Sequence, residues 1–161
     1  MPTILVDQFK NVVRAWAVEE TKRIARMQIL RGGWEVWVQC ELAAFLLAQE
    51  STLEVQRESY VYGGKKRADL LLNGNHPTAS QRIIVEIKVM RASEYERAQF
   101  VEDILDDVAK LRDGLKAVHK GAQLIVLGLY FDANAPIPPG FTTEEVTHDV
   151  GLCWREMAVI D

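Results

Sequence analysis

Apolar positions recur along this chain with two different periods, and the switches between them divide it into elements. From residue 4 to about 30 there is neither Gly nor Pro, and Phe9, Val12, Val13, Trp16, Ala17, Ile24 and Met27 recur at helical spacing. The spacing predicts one long N-terminal helix, closed by Arg31-Gly32-Gly33 because Gly is favoured just past a helix end. A second helix over about 34–49 carries the stripe Trp34, Trp37, Val38, Leu42, Phe45 and Ala48. From residue 52 to 90 the period drops to two. Leu53, Val55, Tyr60 and Tyr62 suggest a strand over 53–62, Gly63-Gly64-Lys65-Lys66 a hairpin turn, and residues 67–72 and 82–90 two further strands. Residues 93 to about 119 return to helical spacing through Phe100, Ile104, Val108, Leu111 and Leu115, with Gly121 marking the end. The continuous apolar run over 123–130 predicts a strand covered on both faces. A proline-rich surface loop over 133–140 and a closing strand over about 150–160 complete the pattern. The order is α, α, β, β, β, α, β, β within one domain: an N-terminal helix (1–31), a core (34–130) and a C-terminal loop and strand (131–161).

Composition narrows the function classes. A chain of 161 residues, 48% hydrophobic, has enough apolar surface for one core. A formal charge of −4 excludes a polycation built to coat nucleic acid, though local basic patches remain open to phosphate. Lys10, Arg14, Lys22, Arg23, Arg26 and Arg31 make the N-terminal helix the densest such stretch, either a phosphate-facing patch or a solvated face. Cys40 and Cys153 sit in apolar contexts without metal-ligand spacing and read as buried thiols in a reducing compartment. No apolar run approaches ~20 residues and no secretory pattern opens the chain, so the expectation is a cytoplasmic protein without a membrane partner.

The candidate chemistry lies on the strand over 82–90. Glu86 and Lys88 stand two apart, hence on one face of an otherwise apolar strand, and burying charge without partners costs several kcal/mol. The bland explanation is a same-face ion pair. Two further carboxylates stand in apolar company: Asp69 on the preceding strand, and Glu41 within the helical stripe, four residues after Trp37 and four before Phe45. Glu35 and Glu50 occupy positions where surface carboxylates are usual. Lys65, Lys66 and Arg67 at the hairpin tip would touch a nucleic-acid backbone or simply be solvated. Gln99 and Lys110 read as edge packing near enough to reach the strand. His76, His119 and His148 lack ligand spacing, and Trp34 and Trp37 read as core.

A helix glutamate, a strand aspartate seventeen positions before Glu86, then Glu86-x-Lys88 on the next apolar strand, followed by a helix and another apolar strand, resembles the PD-(D/E)XK nuclease superfamily over roughly residues 34–130. Ala68 stands where that family's named proline would be. The resemblance implies an α/β fold, a restriction-endonuclease-like mixed central sheet flanked by helices (an αβββαβ core), here with a long N-terminal helix added. It implies hydrolysis of phosphodiester bonds, in DNA rather than RNA, dependent on Mg²⁺ with Mn²⁺ as a substitute. Asp69, Glu86, Glu41 and the carbonyl of Ile87 would be metal ligands, and Lys88 the catalytic lysine. The alternative is a catalytically silent fold relative acting as a binding or immunity-type protein. A homodimer through the N-terminal helix would suit double-strand cutting.

Overall fold

The computed structural model describes residues 2–30, 34–91, 94–131 and 134–157. The N-terminal segment forms two helices, α1 (Val6–Glu19) and α2 (Thr21–Met27), not one long helix. At the start, the Gln8 side chain accepts the Leu5 N–H at 2.8 Å, satisfying one of the free donors of the first turn. At the break, the Thr21 hydroxyl donates to the carbonyls of Ala17 (2.7 Å) and Val18 (3.0 Å). A hydroxyl competing for helix carbonyls in this way ends α1 without a Gly or Pro. The anticipated stop at Arg31-Gly32-Gly33 lies outside the described residues.

After α3 (Trp34–Gln49) come β1 (Val55–Ser59), β2 (Ala68–Leu72) and β3 (Ile83–Val89), then α4 (Glu94–Asp113) and β4 (Gln123–Tyr130), and finally the hairpin of β5 (Thr142–Thr147) and β6 (Val150–Met157). They form one mixed sheet in the order β1-β2-β3-β4-β6-β5. β1, β2 and β3 run antiparallel, β4 lies parallel to β3 after the α4 crossover, and β6 and β5 continue antiparallel. β5 went unforeseen because its Thr and Glu residues show no apolar alternation. The closing strand starts where expected, and residues 158–160 lie outside the described residues. The helix over 93–119 ends earlier, at Asp113, with a separate short turn at Ala117–His119.

Helices cover both faces. On one, Phe9, Val13 and Trp16 of α1, Ile24 of α2, and Trp34, Val38, Leu42 and Leu46 of α3 pack on Ile83, Val85, Ile87 and Val89. On the other, Phe100, Ile104, Val108 and Leu111 of α4 pack on Ile84, Leu124, Val126 and Cys153. The α1 stripe is therefore buried within the chain, and a homodimer through this segment would have to use its exposed Leu5, Val18, Ile29 and Leu30. The basic side is also engaged: Lys10 pairs with Glu156 (2.5 Å), Arg14 with Glu144 (2.6 Å) and Arg23 with Glu41 (3.2 Å). Cys153 is buried, with its thiol pushed up to about 12 by burial, whereas Cys40 is exposed, contrary to expectation. No helix among the described residues is long and apolar enough to cross a membrane.

Close approach of α4 to β4 depends on Gly128. A Cβ there would lie 2.5 Å from Cys153 Sγ, 2.7 Å from Ile104 Cδ1 and 2.9 Å from Phe100 Cζ. Gly128→Ala is expected to cost ~1–3 kcal/mol through overpacking, read as a lower urea midpoint at unchanged slope.

Candidate functional site

The β2–β3 ladder runs through Leu72–Ile83, Leu71–Ile84 and Leu70–Val85 and stops there. Asp69, the next residue on β2, stands where the two strands part. Its Oδ2 accepts the Ile87 N–H at 2.6 Å, so a side chain takes the place of a backbone acceptor. Its Oδ1 accepts Gln39 Nε2 at 2.8 Å, and Gln39 Oε1 in turn accepts Arg57 Nη2 at 3.2 Å. A strand residue and a residue from the first half of α3 thus fix the carboxylate of Asp69.

Glu86 and Lys88 project from β3 into the same region. Glu86, 1% exposed, accepts at Oε1 from Lys110 Nζ (2.8 Å) and from the Tyr62 hydroxyl. Lys88 lies 3.3 Å from Glu35 Oε1 on α3 and 3.4 Å from Asp107 Oδ2 on α4. Lys110, one turn after Asp107 on the same helix face, also lies 3.6 Å from Asp107 Oδ1. Lys88 therefore takes partners from helices on opposite faces of the sheet.

Tyr62 is delivered by a departure from the predicted hairpin. Beyond Ser59 the chain leaves β1 and pairs with the segment after α4: Tyr62 bridges Leu115, Gly63 N–H donates to the Gly114 carbonyl at 3.1 Å, and Lys116 N–H donates to the Val61 carbonyl at 2.9 Å. Gly114 permits this, since a Cβ there would lie 2.7 Å from the Lys110 carbonyl and 3.3 Å from Tyr62 Cδ1. In the same loop Lys65, Lys66 and Arg67 are exposed, Arg67 lying 4.5 Å from the centre of the Tyr60 ring.

Of the residues singled out from sequence, the structure brings Asp69, Glu86 and Lys88 together, with Ile87 buried between the last two and tied to Asp69. Glu41 does not join them. Both its oxygens face the Arg23 guanidinium, at 3.2 and 3.4 Å, beside Trp37. Helix geometry explains the error: Glu41 is six residues past Glu35, about 240° further round α3, whereas Glu35 and Gln39 share a face. Lys110 reaches the cluster, while Gln99 donates to Asp103 at 2.9 Å instead. Tyr62, Glu35, Gln39 and Asp107 were not anticipated as site residues. The i,i+4 spacing of Glu35 and Gln39, and the i,i+3 spacing of Asp107 and Lys110, were the available signals. His76 bonds within its own turn, to Thr78, and His148 pairs with the adjacent Asp149, both away from the cluster.

Electrostatically the cluster is unbalanced. Among the described residues four carboxyl groups (Glu35, Asp69, Glu86, Asp107) face two ammonium groups (Lys88, Lys110), so the acids outnumber the bases. Burial, followed by the neighbouring carboxylates, pushes Glu86 up to about 8. Burial pushes Asp69 up to about 6 against the opposing Ile87 N–H bond. Glu35 and Asp107 are raised for the same first reason, despite Lys88. Burial alone would lower Lys88, but Asp107, Glu35 and Asp69 outweigh it and hold the ammonium form. Burial and then Glu86 raise Tyr62, so its phenol stays a donor. Burial is the first cause of every raised carboxyl group, and the crowding of acids around two ammonium groups adds to it.

In chemistry the donor set suits one hard divalent cation, since carboxylate oxygens are the ligands Mg²⁺ and Mn²⁺ prefer. Asp107 Oδ2 is also buried without a hydrogen-bond partner. Among the described residues, however, no three His, Cys, Asp or Glu side chains converge on one point as ligands, the two lysines standing among the carboxylates.

Comparison with protein-family models, curated proteins and solved structures finds no match to this chain.

Proposed function

We propose that this chain is a divalent-metal-dependent nuclease of the PD-(D/E)XK type that hydrolyses phosphodiester bonds in DNA. The observation that carries the proposal is the cluster of Asp69, Glu86, Glu35, Asp107, Lys88 and Lys110, in which four acids crowd two bases around the buried Asp69, Glu86 and Asp107, at the point where β2 and β3 part. The order α3-β1-β2-β3-α4-β4, with β1 to β3 antiparallel and β4 parallel to β3, supports an αβββαβ restriction-endonuclease-like core. A buried charge network without function is a poor stabiliser, because an apolar core of equal volume is often as stable.

Asp69 and Glu86 would hold the metal with the Ile87 carbonyl, Glu35 or Asp107 taking the place expected of Glu41. A bound divalent cation supplies charge to the phosphoryl oxygens and a more acidic water. The chain's own residues do the rest. Gln39 and the Ile87 N–H hold the Asp69 carboxylate in one orientation, and Tyr62 does the same for Glu86. Lys88, one-fifth exposed and kept cationic by its neighbours, would donate to the attacking water or to a phosphoryl oxygen. The exposed Lys65, Lys66 and Arg67, in the loop that delivers Tyr62, would track the nucleic-acid backbone. The cytoplasm is the compartment we assign.

The rival, a silent fold relative that binds a partner, is favoured by the occupation of both Asp69 oxygens by protein donors. Incubation with plasmid, linear duplex, single-stranded DNA and RNA, each with Mg²⁺ or Mn²⁺ and with EDTA, separates the two. Metal-dependent cleavage of DNA is expected. Intact substrates under every condition would leave the binding-protein reading.

A further inference from the structure

Lys110 occupies a position that a solvated surface lysine does not need. Its ammonium lies 2.8 Å from Glu86 Oε1, 3.6 Å from Asp107 Oδ1 and 4.8 Å from the centre of the Tyr62 ring. Glu86 is almost wholly buried, and the Asp107 side chain is 8% exposed. The lysine itself is 21% exposed, so a flexible four-carbon stem gives its head a route outward. Lys88 is arranged differently. Its ion pairs are with Glu35 and Asp107 Oδ2, not with Glu86. Asp107 Oδ2, although 3.4 Å from Lys88 Nζ, is buried and makes no hydrogen bond among the described residues. The cluster thus contains one cation lodged against the carboxylate expected to carry metal, and a second that stands beside Asp107 Oδ2 without hydrogen-bonding it.

We propose that Lys110 is a built-in counter-cation of the metal-free protein that competes with the divalent ion for Glu86, so that metal loading and withdrawal of Lys110 are a single event. The inference rests on the metal-site reading above. A carboxylate oxygen that accepts from an ammonium at hydrogen-bond distance cannot also serve a second cation without placing like charges side by side, and such repulsion is severe where water is excluded. Lys110 must therefore leave Glu86 as the ion enters, its flexible stem and one-fifth exposure giving the head a way toward solvent. The buried Tyr62 ring gives the ammonium an aromatic face only while it stays at Glu86. The arrangement explains why no three carboxylates converge in the lysine-filled cluster: the ammonium groups hold apart the oxygens that a metal would gather. It also keeps Glu86 paired in the absence of metal, so the site does not carry a bare buried carboxylate.

The test is calorimetric titration of MnCl₂ into wild type, Lys110→Met and Lys88→Met, with Lys110→Gln as a substitute if the methionine variant fails to fold by circular dichroism. Lys88→Met removes one charge from the same cluster without touching Glu86, and so measures the general effect of a lost cation. Lys110→Met is expected to bind Mn²⁺ at least tenfold more tightly than wild type and clearly more tightly than Lys88→Met. Binding by Lys110→Met alone, with none by wild type, would equally support competition. Wild type and Lys110→Met binding with equal affinity, or Lys110→Met binding no better than Lys88→Met, would overturn the role given to Lys110 while leaving the metal site standing. Absence of Mn²⁺ binding in all of them would remove the metal site itself.

Discussion

Lys88→Ala is expected to lower the cleavage rate by about 10²–10³, the loss typical of removing one preorganised donor to developing charge, without abolishing Mn²⁺ binding. The physical basis is the separation of roles within the cluster. Lys88 is ion-paired to Glu35 and Asp107 but not to Asp69 or Glu86, so its loss leaves those two metal carriers and their supports from Gln39, Ile87 and Tyr62 in place and frees Glu35 and Asp107 of a competing cation. What disappears is the one ammonium that is both held charged and positioned at the β3 end of the site. Single-turnover kinetics at saturating metal, with Mn²⁺ affinity measured in parallel, checks this. Undiminished cleavage by Lys88→Ala would exclude the lysine from the chemistry.

The second large effect is on stability. In the absence of divalent metal, the protein is expected to lose several kcal/mol of stability as pH rises from about 4 to 8, since each tenfold difference in proton affinity between folded and unfolded chains is worth about 1.4 kcal/mol. The folded-state values of Asp69 and Glu86 lie above their ordinary ones, at about 6 and about 8. The folded protein therefore holds more protons than the unfolded chain across this window, and stability contributed by the protonated forms disappears as pH passes the folded values. The shift of Lys88 acts only above its ordinary range and does not contribute here. Glu86→Gln, which keeps an oxygen to accept from Tyr62 and Lys110 but cannot ionise, should flatten the profile and leave the variant more stable than wild type at pH 8–9. Urea unfolding in EDTA at pH 5, 7 and 9 measures both chains. A wild-type profile that rises over this range, or a Glu86→Gln profile parallel to it, would contradict the cause assigned to the shift.

The sequence made some of this site visible and concealed the rest for physical reasons. Glu86 and Lys88 stood out because a strand that is otherwise apolar has no ordinary use for two charges on one face, and Asp69 because its neighbours are Ala68 and Leu70. Glu35 and Asp107 carried no such contrast. Asp107 lies among other acids of α4 and Glu35 in the first turn of α3, where a carboxylate is usual, and only the angle round the helix distinguishes an acid facing the sheet from one facing water. Glu41 misled because Trp37 and Phe45 flank it, yet an arginine from α2 approaches that face. Tyr62 looked like a strand residue and became a site residue because the chain leaves the hairpin for the segment after α4, a non-local pairing that no short-range pattern encodes. The fold follows the same rule. Elements with strong periodicity formed where expected, whereas the break at Glu20 and the polar edge strand β5 depended on one hydroxyl and on a neighbouring strand.

The alternation along β3 has a consequence for how the sheet finds its alignment. Ile83, Val85, Ile87 and Val89 meet α1 and α3, while Glu86 and Lys88 share their parity with Ile84. A one-residue slip of β3 against its neighbours would drive a carboxylate and an ammonium into the layer filled by Phe9, Val38 and Leu42, and push four aliphatic side chains toward the charged cluster. A uniformly aliphatic strand would tolerate that misalignment. The two charged residues proposed to do chemistry therefore also tell the central strand which way to face, and a variant that made both apolar would be free to adopt sheets other than this one.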